Sequence, residues 1–216
     1  MPVDFNFMVG GEAGQGVQSV GFLLAKVFAH GGYRIFADQD YELRIRGGHN
    51  FFRVRVKDSR VSAICEPVDM LVALNKESID LHRKELAAGG VTIFDGEKTR
   101  GISADGGLFG IPLERLAEEK AGDRIMTNTV ALGAALALVG YDLKILNAVL
   151  TEHFGKGEVA GSNITAAKAG YEYAQAEYKG NFRKIKPLSE AKRMLLTGNE
   201  AISLGAIAAG CKFMAA

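Results

Sequence analysis

The chain has only two cysteines in 216 residues, Cys65 and Cys211. They lie far apart and no C-x-x-C occurs, which excludes an iron–sulfur cluster or structural zinc encoded here. Both thiols are expected to be small buried hydrophobes in a reducing compartment. Charge of one sign is also lacking. The formal net charge is +1, so no global pull toward nucleic acid or membrane is expected and any basic site is local. Long apolar runs are missing too: the longest, residues 129–140, is too short to cross a bilayer. The start, "MPVDFNFMVGG", carries Asp4 and no basic lead-in, and reads as a strand rather than a signal peptide. A cytoplasmic protein with no membrane and no nucleic-acid partner is the expectation. No catalytic constellation stands out. Ser19 lacks the G-x-S-x-G frame, and His30, His49, His82 and His153 fall on separate expected elements, as surface or helix-end residues.

What is present is an ordinary globular composition, 48% hydrophobic and 24% charged. Residues 5–9 read as a short buried strand. Apolar residues then recur at Val17, Val20, Leu23, Leu24, Val27 and Phe28, which is one face of a helix. Gly31 and Gly32 end it, and residues 33–37 form a second strand. That run predicts a βαβ unit with a parallel sheet. Residues 51–56 alternate, with Phe52, Val54 and Val56 on one face and Arg53 and Arg55 on the other, continuing to Lys57. A turn at "KDSR" predicts a hairpin to residues 61–65, an antiparallel insert in a mostly parallel sheet. Residues 68–75 and 91–95 read as further strands. Residues 76–88, 114–120, 130–139, 142–153 and 163–178 read as helices, with a strand stub at 124–126. Asn128 or Thr129 is expected to cap the Ala-rich helix. After residue 178 the composition turns basic and polar, as in a linker. A small-residue helix follows, whose Ile202, Leu204 and Ile207 have no evident partner. The fold expected is α/β, a Rossmann-like three-layer sandwich.

Two stretches carry chemistry. "MVGGEAGQGVQS" places Gly10, Gly11, Gly14 and Gly16 at a strand-to-helix turn, beside Glu12 and Gln15, the only polar side chains expected at the crevice. The order G-x-x-G-x-G reverses the dinucleotide fingerprint. No acidic residue closes the second strand, although Asp38 and Asp40 follow it at a plausible distance, which weakens NAD without excluding it. A helix N-terminus beside small residues suits a phosphate; equally, the glycines permit a tight turn and close packing. The second stretch, "RIRGGHN", sets Arg44 and Arg46 before Gly47 and Gly48. Arginine grips phosphate in a forked geometry, so a ligand or an interface is expected there. Arg53, Arg55 and Lys57 read as a charged outer face that discourages aggregation.

Together these residues closely resemble the γ domain of 2-oxoacid:ferredoxin oxidoreductases. The landmarks are "GGEAGQGV", a helix ending in "GGY", "RGG" entering "FRVRV", then "MTNTVALGAALALVG" and "AGYEYA", over roughly residues 3–180. "LLTGNEAISLGAIAAGCKFMAA" is similar to the opening of that family's α subunit. The resemblance implies residues 1–180 as a γ-type domain and 181–216 as a linker plus the first helix of a truncated, α-like pyrimidine-binding domain. It implies coenzyme A-dependent oxidative decarboxylation of a 2-oxoacid, 2-oxoglutarate or a relative, with electrons passed to ferredoxin. The γ unit would serve assembly and closure of the coenzyme A site, inactive alone and holding no cofactor itself. Thiamine diphosphate and iron–sulfur clusters would sit on the α and β partner subunits or a ferredoxin-like unit. Gly11, Gly14, Gln15, Gly16, Arg44, Arg46, Gly47, Gly48 and Asn128 would form its ligand site. The isolated unit is expected to self-associate into a homodimer. A free-standing NAD(P)- or flavin-binding domain and a purely structural dimerisation module remain the alternatives.

Overall fold

The computed structural model describes residues 2–41, 48–99, 101–102 and 107–215. Six strands form one sheet in the order β2-β3-β1-β4-β5-β6. They are β1 (Asp4–Glu12), β2 (Arg34–Tyr41), β3 (His49–Lys57), β4 (Val68–Ala73), β5 (Leu86–Asp95) and β6 (Leu108–Ile111). Strands β1, β4, β5 and β6 pair in parallel, while β3 is antiparallel to both β1 and β2. The fold is therefore a Rossmann-like α/β sandwich, mostly parallel with an antiparallel pair.

Helix α1 (Val17–His30) buries the expected apolar face and ends at Gly31, with Gly32 at φ 89°. It joins β1 to β2, which run in the same direction, but they are not neighbours: β3 is inserted between them. The simple βαβ expectation is corrected to a split one. The hairpin is corrected as well. β3 pairs with β2 and β1 on its two edges, which leaves no edge for residues 61–65, and these form no strand. Arg53, Arg55 and Lys57 thus lie on an interior strand, not an edge. Arg53 pairs with Asp38 at 2.7 Å, and Arg55 and Lys57 pair with Asp4 at 2.8 and 3.0 Å. The Arg55 guanidinium and the Lys57 ammonium hold the Asp4 carboxyl down at about 2, against the burial that raises it.

Helix α2 (Lys76–His82) stops early, followed by a 3-10 turn at Arg83–Glu85 and then β5. The expected helix over 76–88 loses its last turn because Leu86 pairs with Val68 on β4. The expected strand at 124–126 is a 3-10 turn, started by Asp123, whose Oδ1 accepts from the Ile125 N–H at 2.9 Å. Helices α3 (Leu113–Ala121), α4 (Thr127–Leu138), α5 (Leu143–Phe154) and α6 (Glu158–Glu177) complete the layer on the α1 face. Helix α4 is buried nearly all round, as a helix apolar on every side must be. It packs against α6 closely enough that a Cβ on Gly133 or Gly170 would lie 2.0 Å from a backbone oxygen. On the opposite face α2 stands over β1 and β4, with Ile79 against Met8, Leu71 and Phe94.

Residues 179–197 carry no helix or strand, as a linker does, but they are fastened to the core. Phe182 and Ile185 are buried, and the Ile185 N–H donates to Val139 O at 2.8 Å. Tyr33 Oη donates to Lys186 O at 2.6 Å, and Arg193 Nε donates to Gly32 O at 2.6 Å. Helix α7 (Gly198–Ala208) follows, begun by a capping box between Thr197 and Glu200. None of its residues is buried, and Ile202, Leu204 and Ile207 face solvent. The cysteines differ from expectation: Cys211 is exposed, and Cys65 is half-buried with its Sγ 3.3 Å from Asn6 Nδ2. No described helix is long and apolar enough to cross a membrane.

Candidate functional site

A crevice opens at the carboxyl ends of the parallel strands. The chain leaves β1 toward α1 on one face and leaves β4 toward α2 on the other. Such a reversal is where open α/β sheets receive ligands. The β1–α1 turn stands between two cavities. The larger, about 630 Å³, runs from Gly14–Gly16 to Asn75 and Lys76 after β4, and on to Asp95 and Lys98 after β5. The smaller, about 460 Å³, lies between the first turn of α1 and Asp40, Tyr41, Asn50 and Phe51.

The turn is held from within and from α4. Gln15 N donates to Glu12 O at 3.0 Å, and Gln15 Oε1 accepts from Glu12 N at 2.7 Å. Asn128 Nδ2 donates to Gln15 O at 2.6 Å. Asn128 therefore braces the loop and does not cap α4. Thr129 does not cap it either, because its hydroxyl donates to Asn163 Oδ1 at 2.6 Å. The glycines divide by role. A Cβ on Gly11 would meet Gln15 and Val17 at 2.9 Å, and one on Gly16 would meet Asn128 at 2.6 Å. These two serve packing. Gly14, at φ 92°, has nothing within 4 Å and leaves its backbone open to a ligand. Gly16 begins α1 in the left-handed region with no side-chain cap, so the first N–H groups of α1 point outward without intrahelical partners.

Of the expected site residues, Gly11, Gly14, Gln15, Gly16 and Asn128 are brought together. Gly48, at φ 89°, sits just before β3, where His49 stands opposite Glu12. Arg44, Arg46 and Gly47 lie outside the described residues. Several crevice residues were not anticipated, which corrects the view that only Glu12 and Gln15 are polar there. Lys98 pairs with Glu114, and Arg124 reaches Glu114 at 2.9 Å and Glu118 at 3.2 Å. Asp95 accepts from the N–H groups of Glu97, Lys98 and Glu114 at 2.9–3.1 Å, shaping the loop after β5. The signal available in the sequence was positional and partial: Asp95 ends β5 and Lys98 follows it, whereas Glu114 and Arg124 come after β6. Asp38 is gripped at both oxygens by Arg53, at 3.0 and 2.7 Å, and is not free for a ribose.

His30, His82 and His153 stand at helix ends, as expected, whereas His49 begins β3. His49 and His82 are buried, and their Nε2 atoms lie 2.6 Å apart. Among the described residues, no group of three or more His, Cys, Asp or Glu is placed to hold a metal ion.

Residues 6–173 match the family described as pyruvate ferredoxin/flavodoxin oxidoreductase. The chain belongs to this family. Within it, the chain is 24% identical over 255 residues to the α subunit of 2-oxoacid:ferredoxin oxidoreductase 2 from Aeropyrum pernix, covering 96% of this chain and 40% of that protein. The structure of 2-oxoglutarate:ferredoxin oxidoreductase from Magnetococcus marinus, with 2-oxoglutarate, coenzyme A and succinyl-CoA bound, superposes with a TM-score of 0.84 at 28% identity. It covers 96% of this chain and 37% of that one. The γ subunit of a keto/oxoacid ferredoxin oxidoreductase from Geobacter sulfurreducens superposes with a TM-score of 0.70 at 25% identity, covering 81% of this chain and 98% of that one. This family member thus spans about two fifths of its longer relatives and nearly all of a γ subunit.

Proposed function

We propose that this chain supplies the γ-type unit of a 2-oxoacid:ferredoxin oxidoreductase, supporting coenzyme A-dependent oxidative decarboxylation through assembly and closure of the coenzyme A site. One observation carries the reading: an open backbone at Gly14 and an uncapped α1 N-terminus face a crevice at the sheet's reversal point, in a fold shared with a relative that binds coenzyme A. The α1 N–H groups and its dipole favour a phosphate group. Arg44 and Arg46 are assigned to the same anion, with Gly47 and Gly48 allowing close approach. Gly11, Gln15, Gly16 and Asn128 keep the turn in shape.

Residues 1–180 are assigned to the γ-type domain, and 181–216 to a strap and the first helix of an α-like domain. The longer Magnetococcus chain covers 96% of this chain and the Geobacter γ subunit 81%, which supports that division. Partner α and β subunits would hold thiamine diphosphate and the iron–sulfur clusters and deliver electrons to ferredoxin. The described residues of this chain offer no ligand set for a metal cluster, and no catalytic residue is assigned to it. The bidentate Arg53–Asp38 pair weighs against the dinucleotide alternative, because it occupies one of the two carboxylates a ribose could use; the other, Asp40, lines the smaller cavity. The test is Arg46→Ala in the assembled oxidoreductase. A KM for coenzyme A raised roughly tenfold is expected, as for loss of a charge-assisted bond; an unchanged KM with unchanged assembly would overturn the assignment.

A further inference from the structure

The start of α1 is shaped by a residue on another helix. A trans peptide points its C=O and its N–H in opposite directions. Asn128, in the first turn of α4, donates from Nδ2 to the Gln15 carbonyl at 2.6 Å. The N–H of the same peptide, on Gly16, therefore points away from Asn128. In a regular helix that carbonyl would accept from the N–H four residues on, which is Ser19. Here the first backbone bond of α1 runs instead from the Val20 N–H to Gly16 O, at 3.0 Å. Among the described residues, the N–H groups of Gly16, Val17, Gln18 and Ser19 have no partner. Gly16 completes the arrangement. Its φ of 78° turns the chain out of the helix, and a Cβ there would lie 2.6 Å from Asn128 Nδ2. A side chain at position 16 would push the Asn128 amide off the carbonyl it holds.

Gln15 and Asn128 line the larger cavity, Val17, Gln18 and Ser19 line the smaller, and Gly14 and Gly16 border both. The Gln15–Gly16 peptide is thus part of the partition between them. Consecutive free N–H groups at such a turn form a concavity for an oxyanion. Glu12 and Asp40 also border the smaller cavity. An anion there depends on direct N–H contacts rather than on a general positive field, so each N–H removed weakens its hold. Without Asn128, the Gln15 carbonyl is free to swing into the helix and take the Ser19 N–H. The site then loses the donors of both Ser19, now bonded, and Gly16, turned with its peptide. We propose that Asn128 is a positioning residue that ties back the Gln15 carbonyl, fixes where α1 begins, and keeps the N–H groups of Gly16–Ser19 available to the tetrahedral oxyanion of a phosphate ester. This role rests on the reading of the crevice as the site of a phosphate-bearing ligand.

Two measurements on the full chain and one on the assembled oxidoreductase test it. Without ligand, amide exchange at Ser19 should slow roughly tenfold in Asn128→Ala, because its N–H gains the Gln15 carbonyl. Asn128→Leu fills nearly the same space without a donor or a charge, and should slow Ser19 exchange as well. Titrated with coenzyme A and, separately, with inorganic pyrophosphate, wild type should shift the amide signals of Gly16–Ser19. Asn128→Ala should bind each about tenfold more weakly, as for loss of a charge-assisted bond. In the assembled oxidoreductase its KM for coenzyme A should rise by a similar factor while kcat stays within about twofold, a split that a general loss of structure does not produce. Ser19 exchange unchanged in both variants, or an unchanged affinity and KM in Asn128→Ala, would overturn the proposal and leave the crevice an anion site. Binding of neither probe by wild type would overturn the crevice reading and this role together. Should Asn128→Ala not fold, Asn128→Leu exchange and the wild-type titration decide: pyrophosphate shifts that spare the Gly16–Ser19 amides would contradict the proposal.

Discussion

Gly14 and Gly16 lie two residues apart in one turn yet bear different loads. Gly16→Ala combines positive φ with a Cβ driven into Asn128, and should cost about 1–3 kcal/mol in urea unfolding. Gly14→Ala carries only the conformational penalty, about 1 kcal/mol, and should instead weaken ligand binding. Equal losses of stability in the two variants would refute this division. Asp4 makes a separate prediction. Its folded value of about 2 lies below the ordinary 3.8, so its contribution is present above pH 3.8 and lost as pH falls through about 2. Wild type should exceed Asp4→Asn in stability at pH 5, and the difference should vanish near pH 2 in acid-denaturation curves. The sequence displayed the glycines and the basic run plainly. It did not reveal that Asn128, over a hundred residues away, holds the Gln15 carbonyl, because such a bond depends on how α4 packs, not on local pattern.

At the scale of elements, periodicity located most helices and the buried face of β3, since side-chain alternation is a local property. Neighbour choice is not local. Residues 61–65 looked like a hairpin partner, but β2 and β1 occupy both edges of β3. The end of α2 was misplaced because an Ala-Ala run favours helix until pairing with β4 claims it. The polar stretch after α6 suggested a linker, yet two of its apolar residues are anchors. Ile185→Ala should destabilise the domain by about 2–5 kcal/mol, as for a buried aliphatic truncation. Removing α7 should leave the melting temperature of residues 1–196 within about 2 °C of the full chain, because the helix buries nothing. Calorimetric scans of the two proteins check both claims.

The whole molecule presents two surfaces of different character. One is the crevice, with its uncapped helix and open glycine. The other is α7, where Ile202 and Ile207 are exposed at 73% and 68% beside Phe213 at 83%. An apolar helix face of this kind promotes association, so the isolated chain should self-associate by light scattering, and the version lacking α7 should not. The family and fold class were legible from the combined landmarks, whereas the histidine pair was not, because His49 and His82 meet only once β3 and α2 are in place. The central claim concerns the crevice. Its most direct test is calorimetric titration of the full chain with coenzyme A and, separately, with NADH. Saturable coenzyme A binding that weakens with added salt is expected, lost in Gly14→Ala, with NADH at least about tenfold weaker, or roughly 1.4 kcal/mol. No heat with coenzyme A at millimolar concentration, or tighter binding of NADH, would contradict it.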